Sequence, residues 1–144
     1  MRANERTRQS EEPFRFPVRV YYEDTDAAGV VYYANYLKFM ERARTEWLAG
    51  IGFPLAAFER DHGVVFVVHR CEIDFHGPAR LNDLLEVTVE GVDRGASRLI
   101  ARQDVRRDDT VLTSARITLA CLDSARWRAV RIPAPLAQRL ETRA

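Results

Sequence analysis

The chain has 144 residues, of which 47% are hydrophobic and 30% are charged, and its formal net charge at pH 7 is +1. This length and composition are ordinary for one globular domain with its own core. The small net charge gives no overall electrostatic case for binding nucleic acid or a membrane. We therefore predict a single domain over residues 13–144.

The N-terminal segment and the cysteines bear on where the protein works. Residues 1–12 are polar and charged without an apolar stretch, which predicts a flexible tail and neither a signal peptide nor a membrane anchor. Cys71 and Cys121 lie in apolar strand patterns rather than in a Cys-x-x-Cys pair. We interpret both as buried small side chains in a reducing, cytoplasmic protein. No His and Cys set has zinc-site spacing, so no metal site is predicted.

The hydrophobic pattern predicts one strand, one long helix and then a run of strands. Alternating apolar residues over 14–22 indicate the first strand, and an amphipathic pattern over 34–51 indicates the helix. This order predicts an α+β fold with an antiparallel sheet wrapped around a long central helix. The later predicted elements are a short helix over 54–61, strands starting near residues 65, 85, 97 and 111, a last strand over 126–130, and a helix from Pro133.

Individual side chains of these elements carry further predictions. Arg44 falls within the apolar arc of the long helix, where an unpaired charge is costly to bury, so we predict an ion pair with Glu41 one turn earlier. His69 lies on the apolar face of its strand, which favours a core histidine over a pocket residue. The predicted inward residues of the long helix are Leu37, Met40, Ala43, Trp47, Leu48 and Ile51.

The segment over residues 22–36 is the best candidate for an active site. It contains the carboxylates Glu23, Asp24 and Asp26 and a turn at Gly29, directly ahead of the long helix. A helix start has unpaired N–H groups and a partial positive charge that can stabilise an oxyanion beside a loop carboxylate. Turn formation and helix capping need the same residue types, so the pattern alone leaves a purely structural role open.

Six short segments carry a match in order and spacing that extends from about residue 14 to residue 140. They are VRVYYEDTD at 18–26, GVVY at 29–32, NY at 35–36, ERARTE at 41–46, FVV at 66–68 and PAR at 78–80. Together they resemble the hotdog-fold acyl-CoA thioesterases, in particular the hydroxybenzoyl-CoA thioesterase and YbgC-like (Tol-Pal-associated) branch. The resemblance implies a hotdog fold and hydrolysis of an acyl-CoA thioester to free acid and CoA, without a cofactor.

The resemblance also implies roles for residues of the loop. Asp26 matches the catalytic aspartate, acting as a nucleophile or as a general base for water. Tyr22 matches a tyrosine that lines the site, although it also fits an aromatic packed on the core. The backbone N–H of Tyr33 matches an oxyanion donor. Many YbgC-like members have histidine at Tyr33, so their substrate preference is not transferred, and Glu41 is the alternative catalytic carboxylate.

The predicted substrate contacts come from the matching segments and from a basic strand edge. Gly29, Val30, Val31 and Arg80 belong to the matching segments, and Arg98 begins the basic edge. Arginine suits the phosphates of CoA, but an arginine-rich edge also fits the solvated outer face of a sheet. The other members of this edge are Arg102, Arg106 and Arg107, with Arg116 on the next strand.

A single sheet wrapped on one helix leaves a strand edge and an apolar face in need of cover, which predicts a homodimer or homotetramer with the site at a subunit boundary. Acyl-CoA is the predicted substrate, and an acyl carrier protein is a second candidate partner. Two other functions remain open on the same fold. One is a non-catalytic module that binds acyl-CoA or acyl carrier protein, and the other is a scaffold of the cell-envelope machinery.

Overall fold

The computed structural model describes residues 12–143. The predicted N-terminal tail therefore lies, apart from Glu12, outside the described residues. The elements in chain order are β1 (Phe14–Arg19), a 3-10 turn (Tyr22–Asp24), α1 (Asn35–Gly50), α2 (Leu55–His62), β2 (Val64–Phe75), β3 (Leu84–Arg94), β4 (Arg98–Arg107), β5 (Thr110–Asp123) and α3 (Ala134–Arg143).

The strands form one five-stranded sheet in the order β1-β3-β4-β5-β2, and every neighbouring pair is antiparallel. Alternating residues of β3, β4 and β5 point to one face and are buried there, as their period of two requires. Helix α1 packs across this inner face, mainly over β3, β1 and β4. The predicted α+β arrangement of an antiparallel sheet around a central helix is confirmed.

Helix α1 buries a face that is rotated relative to the predicted one. Phe39 is fully buried and Tyr36 is 3% exposed, whereas Leu37 is 39% exposed. Burying the two aromatic rings removes more apolar surface from water than burying one leucine, so they take the core side. Four of the predicted core residues, Met40, Ala43, Trp47 and Leu48, are buried.

Arg44 is buried as predicted, but its partner is different. Its Nη1 donates a hydrogen bond of 2.9 Å to Oε1 of Gln103 on β4, and Nε2 of Gln103 donates one of 3.0 Å to the carbonyl of Met40. Glu41 is exposed, and no carboxylate of residues 12–143 lies within ion-pair distance of Arg44. The predicted Glu41–Arg44 ion pair is therefore wrong.

Strand β2 lies at the edge of the sheet, and most of its residues are exposed. His69 is exposed at a bulge between Val68 and Arg70, so the prediction of a core histidine is wrong. Cys71 is also exposed, against prediction, whereas Cys121 is buried and burial raises the pKa of its thiol to about 11. The alternating pattern of β2 resembles that of a core strand, and only the missing neighbour on one side makes it an edge.

Two predicted strand boundaries are wrong. Strand β1 ends at Arg19, so Tyr22 lies in the 3-10 turn. The predicted strand over 126–130 is reduced to a single bridge between Ala129 and Leu122. None of the helices in the described chain is long and apolar enough to cross a membrane.

Candidate active site

The loop between the 3-10 turn and α1 folds back on itself as a tight hairpin. Thr25 and Val31 form a bridge, and the N–H of Asp26 donates to the carbonyl of Val30 at 2.9 Å. Gly29 closes the turn with an N–H bond of 3.0 Å to the carbonyl of Asp26, and its φ of +82° lies in the left-handed region that favours glycine. This hairpin sets the position of Asp26, the first residue of its four-residue turn.

The Asp26 carboxylate is exposed and only half engaged. Its Oδ1 accepts a hydrogen bond of 2.9 Å from the N–H of Ala28. This local bond orients the side chain in the manner of an Asx turn. Its second oxygen has no hydrogen-bond partner within residues 12–143, which leaves it available to a substrate or a water molecule.

Asp24 is half-buried, and its carboxylate likewise accepts one backbone N–H bond. Its Oδ2 accepts a bond of 2.8 Å from the N–H of Tyr21 and thereby closes the 3-10 turn. Its carbonyl accepts 2.9 Å bonds from the N–H of Tyr32 and from Nδ2 of Asn35, the first residue of α1. Asp24 therefore connects the turn to the helix, whereas Asp26 is the more exposed of the two aspartates.

The start of α1 has an open hydrogen-bond donor. The residue before the helix is Ala34, which has no side chain to cap it, and the Asn35 amide is directed to Asp24 instead. Among the described residues, the N–H of Tyr33 has no acceptor. An unpaired N–H at the positive end of a helix is suited to stabilising an oxyanion.

Four aromatic rings lie beside this donor, three exposed and one, Tyr36, buried. We name them the aromatic cluster: Tyr32, Tyr33, Tyr36 and Phe75. The ring of Tyr33 is 4.9 Å from that of Tyr32 and 6.2 Å from that of Phe75, between centroids. Phe75, at the end of β2, is 50% exposed and also contacts Tyr36 at 5.8 Å. A side-chain hydrogen bond with Tyr33, and secondly the charge of that phenol, raise the pKa of Tyr32. Sequence reasoning missed Tyr36 and Phe75, whose contact joins two distant segments.

The predicted substrate residues Val30, Val31 and Arg80 come together. Val30 forms a bridge with Arg80, and the N–H of Val31 donates a bond of 2.8 Å to the carbonyl of Ala79. The N–H of Ala79 in turn donates to the hydroxyl oxygen of Tyr36 at 3.1 Å. The PAR segment at 78–80 therefore packs beside the loop and is held to it by backbone contacts.

The carboxylate of Asp83 fixes the position of the PAR segment. It accepts 2.8 Å bonds from the N–H of Arg80 and from Nη1 of Arg107. Burial would raise the pKa of Asp83, but the Arg80 N–H and the Arg107 guanidinium outweigh it and lower that pKa overall. Arg107 is thereby engaged in the scaffold rather than free for a phosphate.

Tyr22 bonds to the loop through its carbonyl, which accepts from the N–H and the hydroxyl of Thr25, whereas Arg98 lies elsewhere. Tyr22 is 82% exposed in the 3-10 turn, so the alternative of a core-packed aromatic is wrong. Arg98 begins β4, whereas Arg107 beside the loop ends it, and the two ends of this ten-residue strand are roughly 30 Å apart. Within one chain, Arg98 does not join the site.

Of the remaining arginines of the predicted basic edge, one forms an ion pair and two lie side by side with like charges. Arg106 forms an ion pair of 2.8 Å with Asp104. Arg102 and Arg116 are direct neighbours across β4 and β5, on the outer face of the sheet. This arrangement agrees with a solvated sheet face.

In the described part of the chain, no group of three or more His, Cys, Asp or Glu side chains could hold a metal ion, and a cofactor-free reaction stays a prediction.

Comparison with known proteins identifies the family. The thioesterase-like superfamily matches residues 20–140. The chain belongs to this superfamily. It is 42% identical over 121 residues to "Acyl-CoA thioester hydrolase YbgC" of Escherichia coli O6:H1, which covers 83% of this chain and 90% of that protein. It is also 42% identical over 120 residues to "Acyl-CoA thioesterase YbgC" of Haemophilus influenzae, covering 83% and 88%.

A solved structure agrees with these relatives. The crystal structure of a probable thioesterase from Bartonella henselae superposes with a TM-score of 0.78 at 32% identity, covering 85% of this chain and all of that one (100%). The predicted resemblance to the thioesterases and the predicted hotdog fold are confirmed.

Proposed function

We propose that this protein hydrolyses an acyl-CoA thioester, with Asp26 as the catalytic carboxylate and the N–H of Tyr33 as an oxyanion donor. The observation that carries the proposal is that one short hairpin, bridged at Thr25 and Val31, presents a carboxylate with a free oxygen and leads directly to a helix start with a free N–H. Membership in the thioesterase-like superfamily supports the same reaction.

The chemistry needs only these groups and water. Asp26 either attacks the thioester carbonyl carbon or removes a proton from an attacking water. In both routes, negative charge forms on the carbonyl oxygen, where the Tyr33 N–H stabilises it. The C–S bond then breaks, CoA leaves as a thiolate that takes up a proton, and the acid is released. In the nucleophilic route, water first hydrolyses the mixed anhydride on Asp26.

We propose that two copies pair through their β2 strands, with a homotetramer as a dimer of such dimers. The sheet has two edges, and they differ. Edge strand β1 is six residues long and contains Pro17, which cannot donate to a neighbouring strand. Edge strand β2 is twelve residues long, has no proline and exposes Val68 and Phe75. A long edge strand without a proline retains the backbone donors that pairing with a second chain needs.

This pairing gives Arg98 a role in the second subunit. Two-fold pairing makes the β2 strands antiparallel, so the Val64 end of one strand lies near the Phe75 end of the other. Arg98 lies at the Val64 end, because β5 connects the two through the pairs Val64–Asp123 and Arg98–Ala120. Arg98 of the partner subunit is therefore our candidate contact for the CoA phosphates.

A thiol-release assay tests the proposed activity directly. The panel contains short-chain, long-chain and aromatic acyl-CoA thioesters, and an acyl carrier protein thioester as a further substrate. Hydrolysis of any of them above the rate of an Asp26→Asn variant supports the proposal. A protein that binds acyl-CoA but releases no thiol would be the non-catalytic binding module. We favour the enzyme, because a module that only binds an anionic ligand has no need of a carboxylate beside it.

A further inference from the structure

The first two residues of α1 contact both arms of the Asp26 hairpin, which are residues 24–26 on the entering side and residues 30–31 on the leaving side. These two helix residues are the NY segment at 35–36 of the sequence. The half-buried amide of Asn35 donates from Nδ2 to the carbonyl of Asp24 at 2.9 Å, on the entering arm. The phenol of Tyr36 reaches the leaving arm through the PAR segment.

The contact of Tyr36 with the leaving arm passes through Ala79. The phenol oxygen of Tyr36 accepts a bond of 3.1 Å from the N–H of Ala79. The carbonyl of Ala79 accepts a bond of 2.8 Å from the N–H of Val31, and Val30 forms a bridge with Arg80. Ala79 therefore bonds to the helix with its N–H and to the hairpin with its carbonyl.

The bond between Tyr36 and Ala79 lies inside the protein. Tyr36 is 3% exposed and Ala79 is 0% exposed. The ring of Tyr36 also contacts Phe39 at 6.2 Å and Phe75 at 5.8 Å, between centroids, which limits its movement. A buried N–H without an acceptor is costly, so the phenol oxygen and the Ala79 N–H hold each other in place.

These contacts fix the separation of the two groups proposed for catalysis. Asp26 lies between the anchored residues Asp24 and Val31, and Tyr33 lies between Val31 and the helix. Both groups are thus held relative to the same helix start. The rate of a reaction depends steeply on such placement, because a displacement of about 1 Å can cost about 100-fold.

We infer that Asn35 and Tyr36 are positioning residues, which hold the Asp26 carboxylate at the distance from the Tyr33 N–H that hydrolysis needs. This inference rests on the proposed function. It gives the NY segment a role that requires no contact with the substrate.

The two residues contribute unequally. Without the phenol of Tyr36, the buried N–H of Ala79 has no acceptor among the described residues. Without the amide of Asn35, the Asp24 carbonyl still accepts its bond from the N–H of Tyr32. We therefore expect the larger effect from Tyr36.

The test compares Tyr36→Phe with Thr88→Val as a matched control. Thr88 is 0% exposed in the middle of β3, and its Oγ1 accepts a bond of 2.9 Å from the N–H of Asp104. Both changes therefore remove one buried hydroxyl that accepts a backbone N–H, and both should reduce stability in urea unfolding to a similar degree. Only Tyr36→Phe should lower kcat on the best substrate, by at least about tenfold.

Binding separates positioning from a contact with the substrate. The Kd of a non-hydrolysable thioether analogue should stay the same in Tyr36→Phe, because the ring remains. Asn35→Ala should show the same split between kcat and Kd, with a smaller loss of kcat. Equal losses of kcat in Tyr36→Phe and Thr88→Val would show a merely structural role and overturn the inference. A weaker Kd that accounts for the whole loss in kcat/KM would also overturn it.

Amide hydrogen exchange tests the same contacts without hydrolysis. In Tyr36→Phe, exchange at the N–H groups of Asp26 and Val31 should become roughly tenfold faster, the effect of losing one buried hydrogen bond. In Thr88→Val it should not change. Unchanged exchange in Tyr36→Phe would overturn the inference. Faster exchange in a protein that releases no thiol would overturn the proposed function, while confirming that Tyr36 holds the hairpin.

Discussion

Two turns of this protein begin with an aspartate and form similar local bonds, yet they differ in what surrounds them. In the loop ahead of α1, Asp26 accepts one N–H bond, from Ala28. In the turn after β5, Asp123 accepts two, from Ala125 at 3.0 Å and Arg126 at 2.7 Å. The Arg126 N–H in particular lowers the pKa of Asp123.

The difference lies in the neighbours rather than in the turn chemistry. The loop of Asp26 leads into a helix start with the free N–H of Tyr33 and an aromatic cluster. The turn of Asp123 leads into an irregular segment. Oδ1 of its carboxylate accepts both backbone N–H bonds of the turn. A turn aspartate thus becomes a candidate catalytic residue when a free oxygen and an oxyanion donor are close together.

The largest expected effect is that of Asp26→Asn. The amide keeps the shape of the side chain but loses the nucleophile or base, so hydrolysis should fall by at least about 100-fold. Thiol release measures the rate, and binding of a thioether analogue shows that the pocket is intact. The matched control is Asp123→Asn, which should retain turnover. Near-native turnover of Asp26→Asn would transfer the catalytic role to Glu41.

An effect of similar size is expected at Tyr33, through its main chain. Tyr33→Pro removes the N–H and should cost about 100-fold or more in kcat, the usual loss for one oxyanion donor. Tyr33→Phe retains the donor and should change kcat only modestly. Circular dichroism of both variants checks the helix. A large loss in a well-folded Tyr33→Phe would assign the role to the phenol instead.

The subunit boundary is tested on β2. Val68 is 49% exposed on the edge strand, and Val68→Glu places a charge where two copies are proposed to meet. Light scattering should show a shift from dimer toward monomer, with a parallel loss of activity. Leu84→Glu is the control, because Leu84 is 71% exposed but lies on β3. An active monomer of the unchanged protein at micromolar concentration would contradict the pairing.

The smallest effect concerns stability and pH in the Asp123 turn. Because the folded pKa of Asp123 is lowered below its ordinary value of 3.8, its charged form stabilises the fold above that value, and the contribution disappears as the pH falls through the folded pKa. Urea unfolding should therefore show Asp123→Asn to be slightly less stable at pH 7 and equal to the unchanged protein near pH 2. An equal difference at both values would refute the link to ionisation.

Much of the fold could be predicted because it depends on local patterns. The period of two in β3 and β5 and the helical period in 35–50 are properties of neighbouring residues, and they indicated the correct elements. The loop of Asp26 was identified because the order of its residues is itself the signal. The rotation of α1 toward Tyr36 was missed, since apolar residues flank the buried row of Met40 and Trp47 on both sides, with Leu37 on one side and Phe39 on the other.

The sequence by itself determined most of the elements, the family and the candidate catalytic loop, because each of these is encoded in residues close together in the chain. The tertiary structure decided which strand became an edge, and so exposed His69 and Cys71 against expectation. It also chose Gln103 over Glu41 as the partner of Arg44, 59 residues away in the chain. A side chain bonds to what folding brings beside it, and the sheet offered an acceptor inside the core, whereas Glu41 could remain hydrated at the surface.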